Sequence, residues 1–185
     1  MKLGAQELIE MHEVLNESVS MIEHYAMYLN VCQDPELRRI LDRQQRHMID
    51  SYNAKVNMSQ NQGMDITGIP RPAMGTGTAG ISMEGRPEYG TRAAVRTDAL
   101  VLNDRAIASG AMIFHRCGAV KSTNAALVCT DPQLRNFLST AAKSCIEMAF
   151  ELSQYMSFKG WRPAGMAQPH LMAQAQQTYQ TQTGH

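Results

Sequence analysis

Hydrophobic positions recur at helical spacing in four long stretches of this chain. From Gly4 to about Cys32, Leu8, Leu15, Ile22 and Leu29 stand seven residues apart, and Met11, Val19, Tyr25 and Ala26 broaden their stripe. Glu10, Glu13, Glu17 and His24 fall on the other side, so an amphipathic helix is predicted over 4–32. Over 35–59, Leu37, Leu41, Met48 and Tyr52 line one face and Arg39, Arg43, Arg46 and Asp50 the other. Over 132–158 the stripe is Leu134, Leu138, Ala142, Cys145, Ala149, Leu152 and Met156, with Lys143, Glu147 and Glu151 outside it. The remaining helix, predicted over 97–129 with Thr97-Asp98 as its cap, follows another pattern. Asp104, Ala108, Ala111, His115, Gly118, Ser122 and Ala126 make a small or polar face, while Leu102, Ile113, Phe114, Val120 and Val128 spread around the rest. A helix apolar on more than one side is buried on more than one side. It is expected to have a second packing partner: the long connection, the tail or another subunit.

Two corners separate these helices in pairs, and they are copies of each other. Cys32-Gln-Asp34-Pro35-Glu-Leu37-Arg38-Arg-Ile-Leu41 returns ninety-seven residues later as Cys129-Thr-Asp131-Pro132-Gln-Leu134-Arg135-Asn-Phe-Leu138, with six of ten positions identical. In each, Asp before Pro supplies an N-cap, and the proline has the fixed φ and missing N–H that suit the first helical position. The same proline pushes the residue before it out of the α region, which ends the preceding helix. Two equivalent corners predict a duplicated helical hairpin.

Between the hairpins, residues 60–96 carry seven glycines and three prolines and no helical period. A connection of that length can return the chain along a helix of ~40 Å. The predicted fold is therefore all-α: a ferritin-like four-helix bundle over 1–160, made of two duplicated hairpins joined by a long crossover at 60–96. A Gln-rich flexible tail is expected over 161–185. Lys159-Gly160 should end the fourth helix, and Trp161 should fold back on the bundle.

Composition narrows the function. Seventeen basic residues balance seventeen acidic ones, which argues against nucleic-acid binding and favours association. The N-terminus lacks the apolar core of a secretory signal, and no apolar run approaches the ~20 residues of a membrane span. The expectation is a protein made and kept in the cytosol unless assembly carries it elsewhere. Cys32, Cys117, Cys129 and Cys145 show no CxxC spacing and read as reduced, mostly buried thiols.

The predicted connectivity raises the question of a carboxylate-bridged di-metal centre, which needs Glu-x-x-His on two helices. None of His12, His24, His47, His115, His170 and His185 has Glu or Asp three residues before it. Glu17, Asp50, His115 and Glu147 do fall near the middle of the bundle, but the helical wheels turn Glu17, Asp50 and Glu147 away from the Leu stripes. If a degenerate metal site exists, His47, Asp50, His115 and Glu147 would form it. Asp104 and His115 share one face of the third helix and read as an inward polar pair satisfied by hydrogen bonds. No nucleophile elbow, P-loop, dinucleotide fingerprint or His-Glu-x-x-His is present. The fourteen methionines read as adaptable packing. No catalytic, cofactor-binding or metal-binding residue is therefore assigned, and no cofactor is expected.

Several motifs resemble the spore coat F proteins of endospore-forming Firmicutes. They are Leu102-Asn103-Asp104-Arg105-Ala106-Ile107-Ala108-Ser109-Gly110, the second corner from Cys129 to Leu138, Tyr155-Met156-Ser-Phe-Lys159-Gly160-Trp161, and the opening Glu7-Leu-Ile-Glu10-Met-His12-Glu13. The resemblance covers the four helices and leaves out the crossover and the tail. It implies a ferritin-like bundle without enzymatic activity, made in the mother-cell cytoplasm and assembled into the spore coat. The implied partners are other coat proteins and further copies of the chain, with no nucleic acid and no membrane span. The residues leave two alternatives open: a ferritin-like metal-binding protein or oxidase or catalase relative with a non-standard site, and an adaptor acting through the crossover.

Overall fold

The computed structural model describes residues 4–59 and 102–162. They form four helices, α1 (Ala5–Val31), α2 (Pro35–Ser59), α3 (Asp104–Val128) and α4 (Pro132–Phe158), and no strand among the described residues. The 60–96 connection, the Thr97-Asp98 cap and the tail beyond 162 lie outside them. Within them, α3 starts later than expected. Leu102 and Asn103 precede it, and the Asn103 side chain accepts from the Ala106 amide at 2.8 Å, so Asn103 is the cap.

Each corner places its cysteine in extended backbone, Cys32 at φ −61°, ψ 128° and Cys129 at φ −73°, ψ 126°. Asp34 Oδ1 then accepts from the Glu36 and Leu37 amides at 2.9 Å, and Asp131 Oδ1 from the Leu134 amide at 2.8 Å. The repeated sequence thus makes a repeated structure. Both cysteines are buried in it.

α1 packs on α2 and α3, and α4 packs on α3 and α2. The N-terminal end of α1 meets the α3–α4 corner through Glu7 and Thr130, and its C-terminal end meets the start of α3 through Gln33 and Asp104. Neighbouring helices are therefore antiparallel, while α1 and α4, and likewise α2 and α3, lie diagonally and parallel. The end of α2 and the start of α3 therefore lie at opposite ends of the bundle. The α3–α4 pair is the tightest, and both helices bury small side chains that permit close approach, Ala108, Ala111, Ala119 and Ala126 on α3 and Ala141, Ala142 and Ala149 on α4. The α2–α4 pair is the loosest, and long polar side chains fill it.

The inner face of α1 differs from the predicted one. Glu7, Met11, Val14, Ser18, Met21, Tyr25 and Tyr28 are buried at alternating four- and three-residue spacing, while Leu8 is exposed and Leu15, Ile22 and Leu29 are half-buried on the flank. The sevenfold leucines form the edge of the face, because the polar members Glu7 and Ser18 find buried partners and take central positions. The core has two apolar clusters. One holds Tyr25, Leu37, Ile40, Leu41, Ile107 and Leu152; the other holds Met11, Val14, Leu134, Phe137 and Leu138.

After α4, Gly160 adopts φ 68°, the left-handed conformation that glycine enters without steric cost. The Trp161 amide turns back to the Met156 carbonyl at 2.8 Å, and the indole meets the Tyr155 ring edge-on at 5.7 Å between centroids. Lys159 Nζ reaches Asp34 Oδ2 at 2.6 Å. The Lys159-Gly160-Trp161 turn therefore clasps the first corner.

Candidate functional site

The middle of the bundle carries two groups of buried polar side chains. The first spans all four helices. Tyr25 Oη of α1 donates to Gln44 Oε1 of α2 at 2.8 Å and lies 2.6 Å from His115 Nε2 of α3, which is 3.0 Å from the same Gln44 oxygen. The Gln44 amide nitrogen donates to the Met148 carbonyl at 3.2 Å and to Glu151 Oε2 of α4 at 2.9 Å. Glu151 Oε1 pairs with Arg43. Glu151 is thus inside the bundle rather than on its outer face, because the open α2–α4 seam admits the guanidinium that neutralises it.

This network fixes the state of His115. Gln44 Oε1 can only accept, which assigns the proton to Nε2 and leaves Nδ1 buried without a hydrogen bond among the described residues. Burial, with repulsion from His47, lowers the His115 pKa to about 3. Burial likewise pushes the Tyr25 phenol well up. Both groups are neutral near pH 7 and act as rigid hydrogen-bonding connectors.

The second group lies between the two apolar clusters and surrounds a cavity of about 40 Å3. Lys55 is buried there and its Nζ donates to Ser18 Oγ at 2.7 Å, while Ser18 donates to the Val14 carbonyl. Burial lowers the Lys55 pKa, opposed by Cys145 and Glu17. Burial raises Glu17, opposed by Lys121 and Lys55. Burial also lowers His47, which lines the same cavity.

The four residues considered for a degenerate metal site lie around His47, which feels the charges of Asp50 and Glu147 and disfavours a proton on His115, but they do not converge on one point. His47 and His115 are buried, Asp50 is exposed and Glu147 half-buried. No three His, Cys, Asp or Glu side chains converge as a metal site among the described residues. Asp104 and His115 are separate as well. Asp104 accepts from the Gln33 and Asp34 amides at 2.9 and 3.1 Å, whereas His115 serves Tyr25 and Gln44. The sequence reading missed Tyr25, Gln44, Lys55 and Glu151 as central polar residues. The one available signal was Gln44 in register with Leu37, Leu41 and Met48 on the inner face of α2.

A duplicated, antiparallel four-helix bundle with parallel diagonals defines an all-α protein of ferritin-like architecture. Residues 103–164, which include α3, the second corner, α4 and the Lys-Gly-Trp turn, match the family model of the Coat F domain. The chain is 27% identical over 162 residues to the spore coat protein F-like protein YhcQ of Bacillus subtilis (strain 168), covering 85% of this chain and 71% of that protein. A crystal structure of a candidate spore coat protein from Bacillus halodurans C-125 superposes with a TM-score of 0.66 at 15% identity, over 91% of this chain and 96% of the other. The likeness to the spore coat F family read from the motifs therefore stands, and the solved structure has the same fold. No helix among the described residues is long and apolar enough to cross a membrane.

Proposed function

We propose that this chain is a structural subunit of the endospore coat, without catalytic activity, that associates with further copies of itself and with other coat proteins. It is made in the mother-cell cytoplasm and assembled from there. Similarity to the coat F proteins supports the location. The observation that supports association is the outer face of α3. Ile113, Val120 and Leu127 stand seven residues apart and are 54%, 61% and 78% exposed, which places them along one line of the helix opposite its inner stripe. This is the apolar surface that the sequence could not assign to a partner. A protein with no net charge has little electrostatic repulsion to oppose its pairing.

Light scattering on the purified full chain and on an Ile113→Glu/Val120→Glu/Leu127→Glu variant tests this reading. The wild type is expected to form a defined oligomer, and the variant to shift towards monomer with unchanged helical circular dichroism. A wild-type monomer, or an oligomer indifferent to the three charges, would overturn self-association through this face.

A further inference from the structure

Five side chains with soft donor atoms line the central cavity: Met21 of α1, His47 and Met48 of α2, and Cys145 and Met148 of α4. α3 contributes Gly118 and Ser122 to the cavity. A Cβ built on Gly118 would stand 3.2 Å from Cys145 Sγ and 3.5 Å from Met21 Sδ. A thiol and a thioether from two helices thus flank one gap that exists because the third helix has no side chain there. The gap lies between the two apolar clusters, in a layer that also holds Lys55 and Glu17.

We infer that this cavity is a site for a soft monovalent metal ion, Cu(I), anchored by the Cys145 thiolate and the Met21 thioether, with His47, Met48 and Met148 completing its surroundings. Thiolate, thioether and imidazole together select Cu(I) over hard cations. The oxygen groups of the lining are the neutral hydroxyls of Ser18, Ser51, Ser122 and Ser144 and one carboxylate, Glu17, and no acidic cluster of the kind a hard divalent cation needs converges there among the described residues. Charge also balances. Binding exchanges the Cys145 S–H bond for an S–Cu bond, the proton leaves to solvent, and copper stays in the +1 state, so no electron is transferred. The Cu(I)–thiolate pair is neutral, and the Lys55 ammonium and Glu17 carboxylate oppose each other beside it. Because burial raises the Cys145 pKa to about 11, the free thiol is protonated at neutral pH and uptake must release that proton. Periodicity could not reveal this site, because methionines on four-helix stripes read as packing until the glycine gap is seen.

The test is anaerobic titration of the full-length Cys117→Ser protein, which lacks the exposed thiol, with Cu(I) against a chromophoric Cu(I) chelator. The expected result is about one Cu(I) retained per chain, with about one proton released. Cys145→Ser should lower the affinity by at least roughly 100-fold, the upper end of what an outer-shell partner alone is worth. Gly118→Ala keeps every donor but fills the gap, and should also lose the ion. Circular dichroism confirms that each variant is folded. No Cu(I) retained by the parent protein, or retention unaffected by both Cys145→Ser and Gly118→Ala, would overturn the site.

Discussion

Glu7 and Asp104 occupy equivalent places in the two hairpins, ninety-seven residues apart, and each holds the corner of the other hairpin. The Glu7 carboxylate accepts from the Thr130 amide and hydroxyl and the Asp131 amide; the Asp104 carboxylate accepts from the Gln33 and Asp34 amides. Thr130 and Asp131 are the repeat equivalents of Gln33 and Asp34. The corner amides cannot join a helical ladder, so each duplicated unit supplies acceptors to the other. The bundle is thereby locked at both ends by one reciprocal device.

Asp104→Ala should cost about 1–2 kcal/mol, as expected for an acceptor lost from exposed backbone donors. Urea unfolding of the full chain checks it. Glu7→Gln tests the other end through pH. The amides of Gly4 and Thr130 lower the Glu7 pKa from 4.5 to about 2, so its contribution is complete above pH 4.5 and is lost as pH falls towards 2. The variant should show a flatter decline of midpoint temperature across that window. An identical decline would mean that Glu7 does not carry it.

Gly110→Ala should be destabilising even though alanine is favoured in helices by about 1 kcal/mol. Its Cβ would stand 2.5 Å from Tyr28 Oη, and relieving such a clash costs about 1–3 kcal/mol. Tyr28→Phe removes the clashing oxygen. The double variant should therefore recover most of the loss, and thermal melts of the two single variants and the double variant measure this coupling.

Much of this architecture was legible because the corners are local. Asp-Pro fixes a cap and a helix start within a few residues, so the duplicated hairpins follow from Cys32-Gln-Asp34-Pro35 and Cys129-Thr-Asp131-Pro132. The inner face of α1 was not legible to the same degree. Hydropathy cannot rank Glu7 or Ser18 as central, because their burial depends on Thr130 and Lys55, which are distant in sequence. The same applies to Glu151, whose guanidinium partner is on α2. α3 was legible in its small face, which Gly118 now explains in part as close approach to the cavity, while Gly110, beside that face, lets Tyr28 come close. The α3 cap at Asn103 lies six residues beyond the Thr97 at which residue type alone starts the helix, and depends on the bond from the Ala106 amide.

Gln44 joins Tyr25, His115, the Met148 carbonyl and Glu151, so its replacements should separate packing from polarity. Gln44→Leu should cost about 2–3 kcal/mol, within the range for leaving buried partners unsatisfied. Gln44→Glu keeps the shape but sets a second carboxylate beside Glu151, and the two cannot both ionise without penalty. Its deficit relative to wild type should narrow as pH falls from 7 to 5 and the pair takes up a proton. Urea midpoints at the two pH values check the sign, and a deficit that grows on acidification would contradict the carboxylate contact.

The His115 imidazole makes the bundle sensitive to mild acid. In the unfolded chain it protonates near 6.5, whereas in the bundle burial holds it neutral down to about 3. Below 6.5 the unfolded state therefore binds the extra proton. This residue's contribution is intact above 6.5 and falls by up to about 1.4 kcal/mol per pH unit between 6.5 and 3. His47, lowered by burial in the same sense, adds to the slope. His115→Gln keeps a donor towards Gln44 and Tyr25 but has no proton to gain. Its stability should be lower than wild type at pH 7 and should decline less steeply from pH 6.5 to 4. Parallel slopes in the two proteins would show that His115 is not protonated on unfolding and that the acid sensitivity arises elsewhere in the bundle.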